Sequence, residues 1–333
     1  MEFVYLIIGF VLLIKFADIF VDSSVNLAKY FKISEIIIGA TIVSIGTTLP
    51  ETLVSAVSAV KGHGSISFGN AIGSIICNTA FIAAIPIIVA PGIVDKNALK
   101  NPTRFFYVAF FVYAIFAYGF GEFNRVAGIV LVLIFVIYII VILRASPKGT
   151  SSHSLDSTHK ENLAHKRSGA PLNAPHSSPL RDVLTIIASG VVIAFASNLL
   201  VDNGVIIARK FNVPESVIGI TIIALGTSLP EFTTAITSLA KGHGNLSIGN
   251  IIGADFMNLV SVTGIAALLN PFRVPTEKMV MGINSSLVID IPFALFAVTL
   301  LCVPSIITGK TKRWQGVLLL VSYIIFIIYQ YIH

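Results

Sequence analysis

The chain has 333 residues, of which 55% are hydrophobic and only 11% are charged. Soluble domains carry about 25% charged residues, so this composition excludes a water-soluble globular protein and indicates an integral membrane protein. The net charge of +6 does not indicate a nucleic-acid-binding protein, because the basic residues stand between apolar runs, where orientation in a membrane explains them.

Ten apolar segments are each long enough to cross a bilayer, which takes about 20 residues of helix. We predict transmembrane helices at 3–28, 36–60, 66–90, 103–121 and 125–144, and then at 181–208, 216–240, 246–270, 281–302 and 312–331. Residues 145–180 are rich in Ser, His, Pro, Lys and Asn and are predicted to form a flexible linker. The predicted organisation is all-α: a five-helix repeat at 1–144, the linker at 145–180, and a second five-helix repeat at 181–333.

The two halves share a repeated sequence. Residues 46–51 read Gly-Thr-Thr-Leu-Pro-Glu and residues 226–231 read Gly-Thr-Ser-Leu-Pro-Glu, and each is followed by Lys-Gly-His-Gly and then by Gly-Asn-x-Ile-Gly. Between 36–78 and 216–258, 20 of 43 aligned positions are identical without a gap. Because five is odd, the second copy must enter the membrane in the opposite direction. This predicts two inverted repeats whose equivalent residues meet near the midplane, as in secondary transporters.

The Lys and Arg residues predict the orientation. Segments on the linker side of the membrane hold 15 of them, whereas segments on the opposite side hold 6. The positive-inside rule therefore predicts a multi-pass cell-membrane protein with a cytoplasmic linker and both termini outside. In the first span, Lys15, Asp18 and Asp22 stand at i, i+3 and i+7, which predicts a salt-bridged internal stripe.

The first repeated hexapeptide places an acid directly after a proline within an apolar span. Pro50 has no N–H group, so we expect it to kink the helix and to free backbone carbonyls between Ser44 and Thr47. Glu51 follows Thr47 and Thr48 by one helical turn. A carboxylate, two hydroxyls and freed carbonyls are therefore expected to converge.

The second hexapeptide repeats this arrangement with Glu231, Thr227, Ser228 and the Ala224 carbonyl. An unpaired acid at bilayer depth costs at least about 2.5–3.5 kcal/mol on insertion scales. No Lys or Arg stands near Glu51 or Glu231 in the sequence, so we expect a cation to neutralise them.

The third and eighth spans add further oxygen atoms. Ser74 and Asn78 stand at i and i+4 and share a helix face, as do Ala254 and Asn258. Oxygen-only sites with carboxylates favour Ca²⁺, Na⁺ or H⁺ over zinc or copper.

Together, the ten spans and the two motif pairs resemble the α-repeats of the sodium/calcium exchanger superfamily, of the short prokaryotic type. The resemblance implies a non-enzymatic antiporter that uses no cofactor, with Ca²⁺ and Na⁺ as transported ions and a single chain sufficient for transport. It also implies that Glu51 and Glu231 bind Ca²⁺ with the Thr47 and Thr227 carbonyls. The implied Na⁺ ligands, besides both acids, are Thr48, Ser228, Ser74 and the Ser44 and Ala224 carbonyls, with Asn78 and Asn258 in the middle of the cluster.

The chain departs from the family pattern at Ala254 and Asp255, where similar prokaryotic exchangers have Ser-Asn. Ala254 removes a hydroxyl that one Na⁺ site would use. Asp255 is interpreted either as a displaced site carboxylate or as a residue facing an adjacent polar helix. The number of ions exchanged depends on which of these holds.

The sequence thus predicts an antiporter that exchanges Ca²⁺ for Na⁺ by alternating access. The first alternative is a Ca²⁺/H⁺ antiporter of the same superfamily, in which the two glutamates bind protons in place of Na⁺. A Ca²⁺-permeable channel is a further alternative from another class. An intramembrane hydrolase is not favoured, because no His stands near the acids and hydroxyls within the apolar spans.

Overall fold

The computed structural model describes residues 2–145, 178–210, 224–276, 279–280 and 282–332. Most of this part is helical, and we number the helical segments α1 to α12 in chain order. They are α1 Glu2–Phe31, α2 Glu35–Thr47, α3 Leu49–Val60, α4 Gly64–Val89, α5 Lys96–Phe120, α6 Arg125–Ala145, α7 Pro179–Lys210, α8 Ala224–Thr227, α9 Leu229–Ala240, α10 Gly244–Leu269, α11 Ser286–Thr308 and α12 Arg313–Ile332. Two short antiparallel ribbons pair β1 (Glu122–Phe123) with β2 (Phe272–Arg273) and β3 (Met279–Val280) with β4 (Ile283–Asn284).

Within the described residues, eight helices are long and apolar enough to cross a membrane. Helices α2 and α3 make a ninth span if they are taken together, with a bend of 45° between them. A multi-pass helical membrane fold is thereby confirmed. The predicted span at 216–240 is described only from Ala224, and most of the predicted linker lies outside the described residues. The count of ten spans therefore stays a prediction.

Local sequence explains where several helices begin and end. The Ser34 side chain accepts a hydrogen bond from the Ile36 N–H, and Asp95 caps α5 by accepting from two N–H groups. Gly62 and Gly242 end α3 and α9 with φ of +82° and +81°, a left-handed conformation that favours glycine. The repeated Lys-Gly-His-Gly sequence thus forms the same tight turn in both halves.

Helices α4 and α10 form the centre of the molecule. In the most apolar stretch of each helix, 72% of the residues of α4 and 83% of those of α10 are buried. The corresponding fractions are 17% in α12 and 28% in α6. Helix α2 crosses α10 with almost no side chain between them. A Cβ atom on Gly249 would lie 2.3 Å from the Ile36 carbonyl oxygen, and one on Gly253 would lie 2.5 Å from the Ala40 Cα. Glycine allows this approach, as small residues do at membrane helix interfaces.

The loops collect into two ends, which we name after the lysine in each repeated turn. At the Lys241 end, the His243 Nδ1 lies 2.8 Å from a Glu35 carboxylate oxygen and the Val94 N–H donates to the Gly309 carbonyl. At the Lys61 end, the β1–β2 ribbon lies beside the α3–α4 turn, and the Asn270 side chain donates to the Ala59 carbonyl. The two copies of the turn thus contact different sets of loops.

The predicted salt-bridged stripe inside α1 is not present in the structure. Lys15, Asp18 and Asp22 are all exposed, and the two acids bind Lys241 instead of Lys15. Helix α1 carries these charges on a face that meets the α9–α10 turn, a contact that no local pattern indicates.

Helices α1 and α7 pack along each other and share an apolar cluster separate from the main core. Phe20 and Val21 of α1 and Ile186 and Ile193 of α7 belong to it, whereas the main core is built largely from α4, α5, α6, α10 and α11. The second cluster also includes Ile38 and Val43 of α2 and Leu246 of α10, so α1 and α7 pack on the larger core through these helices.

Candidate cation-binding site

Two helix breaks place the two predicted acids. The first lies at Thr48, between α2 and α3, and the second at Ser228, between α8 and α9. Each is followed by a proline in the first turn of the new helix, and the acid comes directly after it. Glu51 and Glu231 therefore stand in the first turns of α3 and α9, where the helix dipole favours negative charge. Both side chains are fully buried.

The two carboxyl groups have few protein partners. The Thr48 hydroxyl donates to Glu231 Oε1 at 3.3 Å, which joins the first half of the chain to the second. Glu231 Oε2 and both Glu51 oxygens accept no hydrogen bond within the described residues, and no ion pair there includes either acid. Buried carboxylates without partners are costly, so this site requires a bound cation or protons.

Asn78 and Asn258 occupy equivalent places in the two central helices. Asn78 is the second residue of the π-helical segment Cys77–Ile82 in α4, and Asn258 is the first residue of the π-helical segment Asn258–Val262 in α10. Such segments are frequent at functional sites. Both amide groups are fully buried, and neither their oxygen nor their nitrogen has a hydrogen-bond partner in the described part. Leaving a polar atom unpaired costs about 1–3 kcal/mol, which suits side chains kept for a ligand.

Hydroxyl groups complete the first half of the site. Ser44, Thr47, Thr48 and Ser74 are all buried. The Thr47 hydroxyl donates to the Asn250 side-chain oxygen at 3.2 Å, a second link between the halves. In the second half, the Ser228 hydroxyl is buried without a described partner, Thr227 is half-buried, and Ala224 begins the described segment.

The break frees fewer carbonyls than predicted. The Ser44 carbonyl still accepts from the Thr48 N–H at 2.9 Å and from the Thr47 hydroxyl at 3.4 Å. The reason is that α2 ends at Thr47, so its last backbone hydrogen bond survives. Pro50 has no N–H and therefore leaves the Gly46 carbonyl without its usual helical donor.

Asp255 lies fully buried in α10 and faces α4. The Thr79 hydroxyl donates to Asp255 Oδ2, and Oδ1 has no partner within the described residues. No three acidic, His or Cys side chains of the described part lie close enough to hold one metal ion. Asp255 contacts Thr79, the residue that follows Asn78 in α4.

Sequence reasoning missed three polar residues around the site. The Asn70 amide donates to the Glu51 carbonyl at 3.1 Å and to the Ser55 hydroxyl at 2.9 Å, and so fixes α3 against α4. Asn250 accepts from Thr47, and Thr79 binds Asp255. Asn70 and Asn250 belong to the repeated Gly-Asn-x-Ile-Gly motif, so their repetition was a usable signal. Thr79 has no such signal.

The fold and this cluster define an integral membrane protein whose buried acidic site is built from two related halves, which is the construction of secondary transporters. The chain belongs to the sodium/calcium exchanger protein family, whose profile matches residues 1–144 and 182–332. The resemblance carried by the two motif pairs is thereby confirmed.

Relatives match along nearly the full length. An uncharacterised membrane protein of Methanocaldococcus jannaschii is 31% identical, covering 96% of this chain and 95% of its own. A sodium/calcium exchanger of Methanosarcina acetivorans is 26% identical, with 98% and 97% covered. The structure of the sodium-calcium exchanger NCX_Mj soaked with Na⁺ and Sr²⁺ superimposes with a TM-score of 0.78 at 28% identity, covering 98% of this chain and 97% of that one.

Proposed function

We propose that this protein is an antiporter that moves Ca²⁺ across a membrane in exchange for Na⁺. The observation that carries the proposal is the pair of buried acids, Glu51 and Glu231, which have no positively charged partner in the described part of the chain. One Ca²⁺ matches their combined charge. Carboxylate, carbonyl, hydroxyl and amide oxygens are the ligands that Ca²⁺ and Na⁺ prefer.

Exchange follows from competition for the same charge. Either one Ca²⁺ or monovalent ions can neutralise Glu51 and Glu231, whereas both sets together would leave the buried site with excess positive charge. A site without any cation would leave buried carboxylates unpaired, which is costly in a membrane. The cycle therefore passes between ion-bound states, and one ion species leaves when the other binds.

Two inverted five-helix repeats would give two access states of similar energy. Most buried residues of the second apolar cluster belong to α1 and α7, which supports a mechanism in which these helices move against the site-bearing core. The site residues come from both halves of one chain, so we propose that a monomer is sufficient. Lys and Arg residues are more numerous in the segments on the linker side of the membrane than on the opposite side. This excess supports a cytoplasmic linker, with both termini outside the cell.

Two alternatives differ in the driving force. In a Ca²⁺/H⁺ antiporter, Glu51 and Glu231 would bind protons in place of Na⁺, and the same buried oxygens would be used. In a Ca²⁺-permeable channel, flux would need no counter-ion and would appear as unitary currents.

Imposed gradients on sealed proteoliposomes distinguish these functions. We expect Ca²⁺ uptake to be driven by an outward Na⁺ gradient, to saturate with Ca²⁺, and to persist when the pH is equal on both sides. Uptake driven only by a pH gradient would establish the proton antiporter. Uptake without either gradient, carried by unitary currents, would establish a channel.

Asp255→Asn tests whether the extra acid takes part in ion coupling. The asparagine oxygen can still accept from Thr79, so we expect the fold and Ca²⁺ binding to be kept. We expect the variant to exchange fewer monovalent ions per Ca²⁺, because the unpaired Oδ1 of a buried carboxylate needs a cation that an amide does not. The reversal potential of Ca²⁺ flux measures this number.

Asp290→Asn is the matched control, since Asp290 accepts from Gln330 on α12, at a different helix contact. It should leave the reversal potential unchanged. An unchanged reversal potential in Asp255→Asn, with unchanged Na⁺ and pH dependence, would show that Asp255 has a structural role only.

A further inference from the structure

An ion-pair cluster joins α1 to the site-bearing core at the Lys241 end. The Lys241 Nζ lies 2.7 Å from Asp18 Oδ1 and 2.6 Å from Asp22 Oδ1, and it donates to the Asp18 carbonyl at 3.0 Å. The lysine side chain is 22% exposed, whereas those of the two acids are 57% and 60% exposed. The Lys241 ammonium group in the α9–α10 turn thus contacts three oxygen atoms of α1.

The repeat gives this cluster an incomplete counterpart at the other end. An offset of 180 residues relates Lys241 to Lys61, Asp22 to Asp202 and Asp18 to Asn198, so the second copy lacks one acid. Lys61 and Asp202 are both exposed, and neither forms an ion pair within the described part of the chain. The contact is therefore made at one end and absent from the described residues of the other.

Two equivalent cavities show the same asymmetry. At the Lys61 end, a cavity of about 250 Å³ lies between Gly62, Gly64 and the segment 270–276. At the Lys241 end, the equivalent position between Leu239, Ser247 and nearby residues of 83–93 holds a cavity of only about 40 Å³. Of these two equivalent positions, the one at the Lys241 end is the more tightly packed.

We propose that Lys241, Asp18 and Asp22 form a latch that holds the Lys241 end closed and favours access from the Lys61 end. The latch rests on the proposed alternating access, because movement of α1 against the core must break these contacts. Two ion pairs with exposed acids shift a two-state equilibrium by about two- to thirty-fold. The equivalent cluster at the Lys61 end lacks one acid. Closing that end therefore does not offset the preference for access from the Lys61 end that the Lys241 cluster produces.

Cysteine labelling tests the latch without measuring transport. Ser247 is buried and lines the small cavity, so a Ser247→Cys variant reports opening of the Lys241 end to a water-soluble maleimide. The native Cys77 and Cys302 are buried, and the chain without the added cysteine gives the background. Labelling is compared for the full chain in liposomes with Lys241→Gln, Lys241→Arg and Lys61→Gln.

We expect Lys241→Gln to raise the labelling rate by about two- to thirty-fold, since both ion pairs are lost. The double variant Asp18→Asn with Asp22→Asn should give the same rise, and adding Lys241→Gln to it should give no more. Lys241→Arg, which keeps the charge, and Lys61→Gln should both label as the parent does. An unchanged rate in Lys241→Gln, or an equal rise in Lys61→Gln, would overturn the latch.

The labelling result and the proposed function can fail separately. The expected labelling pattern in a protein that does not exchange Ca²⁺ would overturn the antiport and retain the latch. Normal Ca²⁺ exchange with no change of labelling in any variant would overturn the latch alone.

Discussion

Glu51→Gln and Glu231→Gln are each expected to abolish Ca²⁺ exchange and to leave the protein folded. Each variant keeps the size of the side chain but removes one of the two negative charges that the proposed Ca²⁺ would neutralise. Truncating one member of a buried charge pair costs at least about 2 kcal/mol, so Ca²⁺ affinity should fall by about 30-fold or more. Ca²⁺ flux into proteoliposomes under a Na⁺ gradient measures the loss.

Glu122→Gln is the matched control for both glutamates. Glu122 lies in β1 at the Lys61 end, where it pairs with Arg273 of β2 in the strand register. This variant should exchange Ca²⁺ at the parent rate, and all three should elute as the parent does in gel filtration. Near-normal Ca²⁺ flux in Glu51→Gln or Glu231→Gln would remove that residue from the site.

Gly249→Ala is expected to destabilise the fold where α2 crosses α10. The new methyl group would lie 2.3 Å from the Ile36 carbonyl oxygen and 2.7 Å from its Cα, and both are backbone atoms that cannot rotate away. Overpacking of this kind costs about 1–3 kcal/mol. The displaced α2 ends at Thr47 and leads directly into Thr48 at the break. Loss of Ca²⁺ exchange should therefore accompany a lower unfolding temperature in detergent.

Gly190→Ala makes the same chemical change at a site that has room. Its methyl group would lie 3.5 Å from the Phe20 ring, an ordinary contact, and alanine is the better helix former by about 1 kcal/mol. We expect an unchanged or slightly higher unfolding temperature. If Gly249→Ala were as stable and active as Gly190→Ala, the close crossing of α2 and α10 would not be essential.

The sequence predicted the two acids and the helix breaks because these are local features. Proline removes a backbone donor wherever it stands, so Pro50 and Pro230 mark their breaks without any knowledge of the fold. The 180-residue repeat then paired Glu51 with Glu231, because an odd number of predicted spans would place the two copies face to face. The family followed from the same motifs.

Other parts of the site depended on residues far apart in the sequence. The Thr48–Glu231 and Thr47–Asn250 hydrogen bonds join positions 183 and 203 residues apart. Nothing near Asp255 in the sequence indicates Thr79, 176 residues away, so this contact could not be predicted. The survival of the Ser44 carbonyl bond was also decided by where α2 ends.

The sequence alone determined the membrane class, the apolar helices, the repeated breaks and the two acids, because hydrophobic length and proline chemistry act over one or two helical turns. Only the tertiary structure decided which helices are central, which polar groups meet across the halves, and that Lys241 binds Asp18 and Asp22 instead of leaving them to Lys15. These contacts depend on which helix faces pack together. That choice is made by close glycine crossings and by the summed burial of whole helices, and no short stretch of sequence contains it.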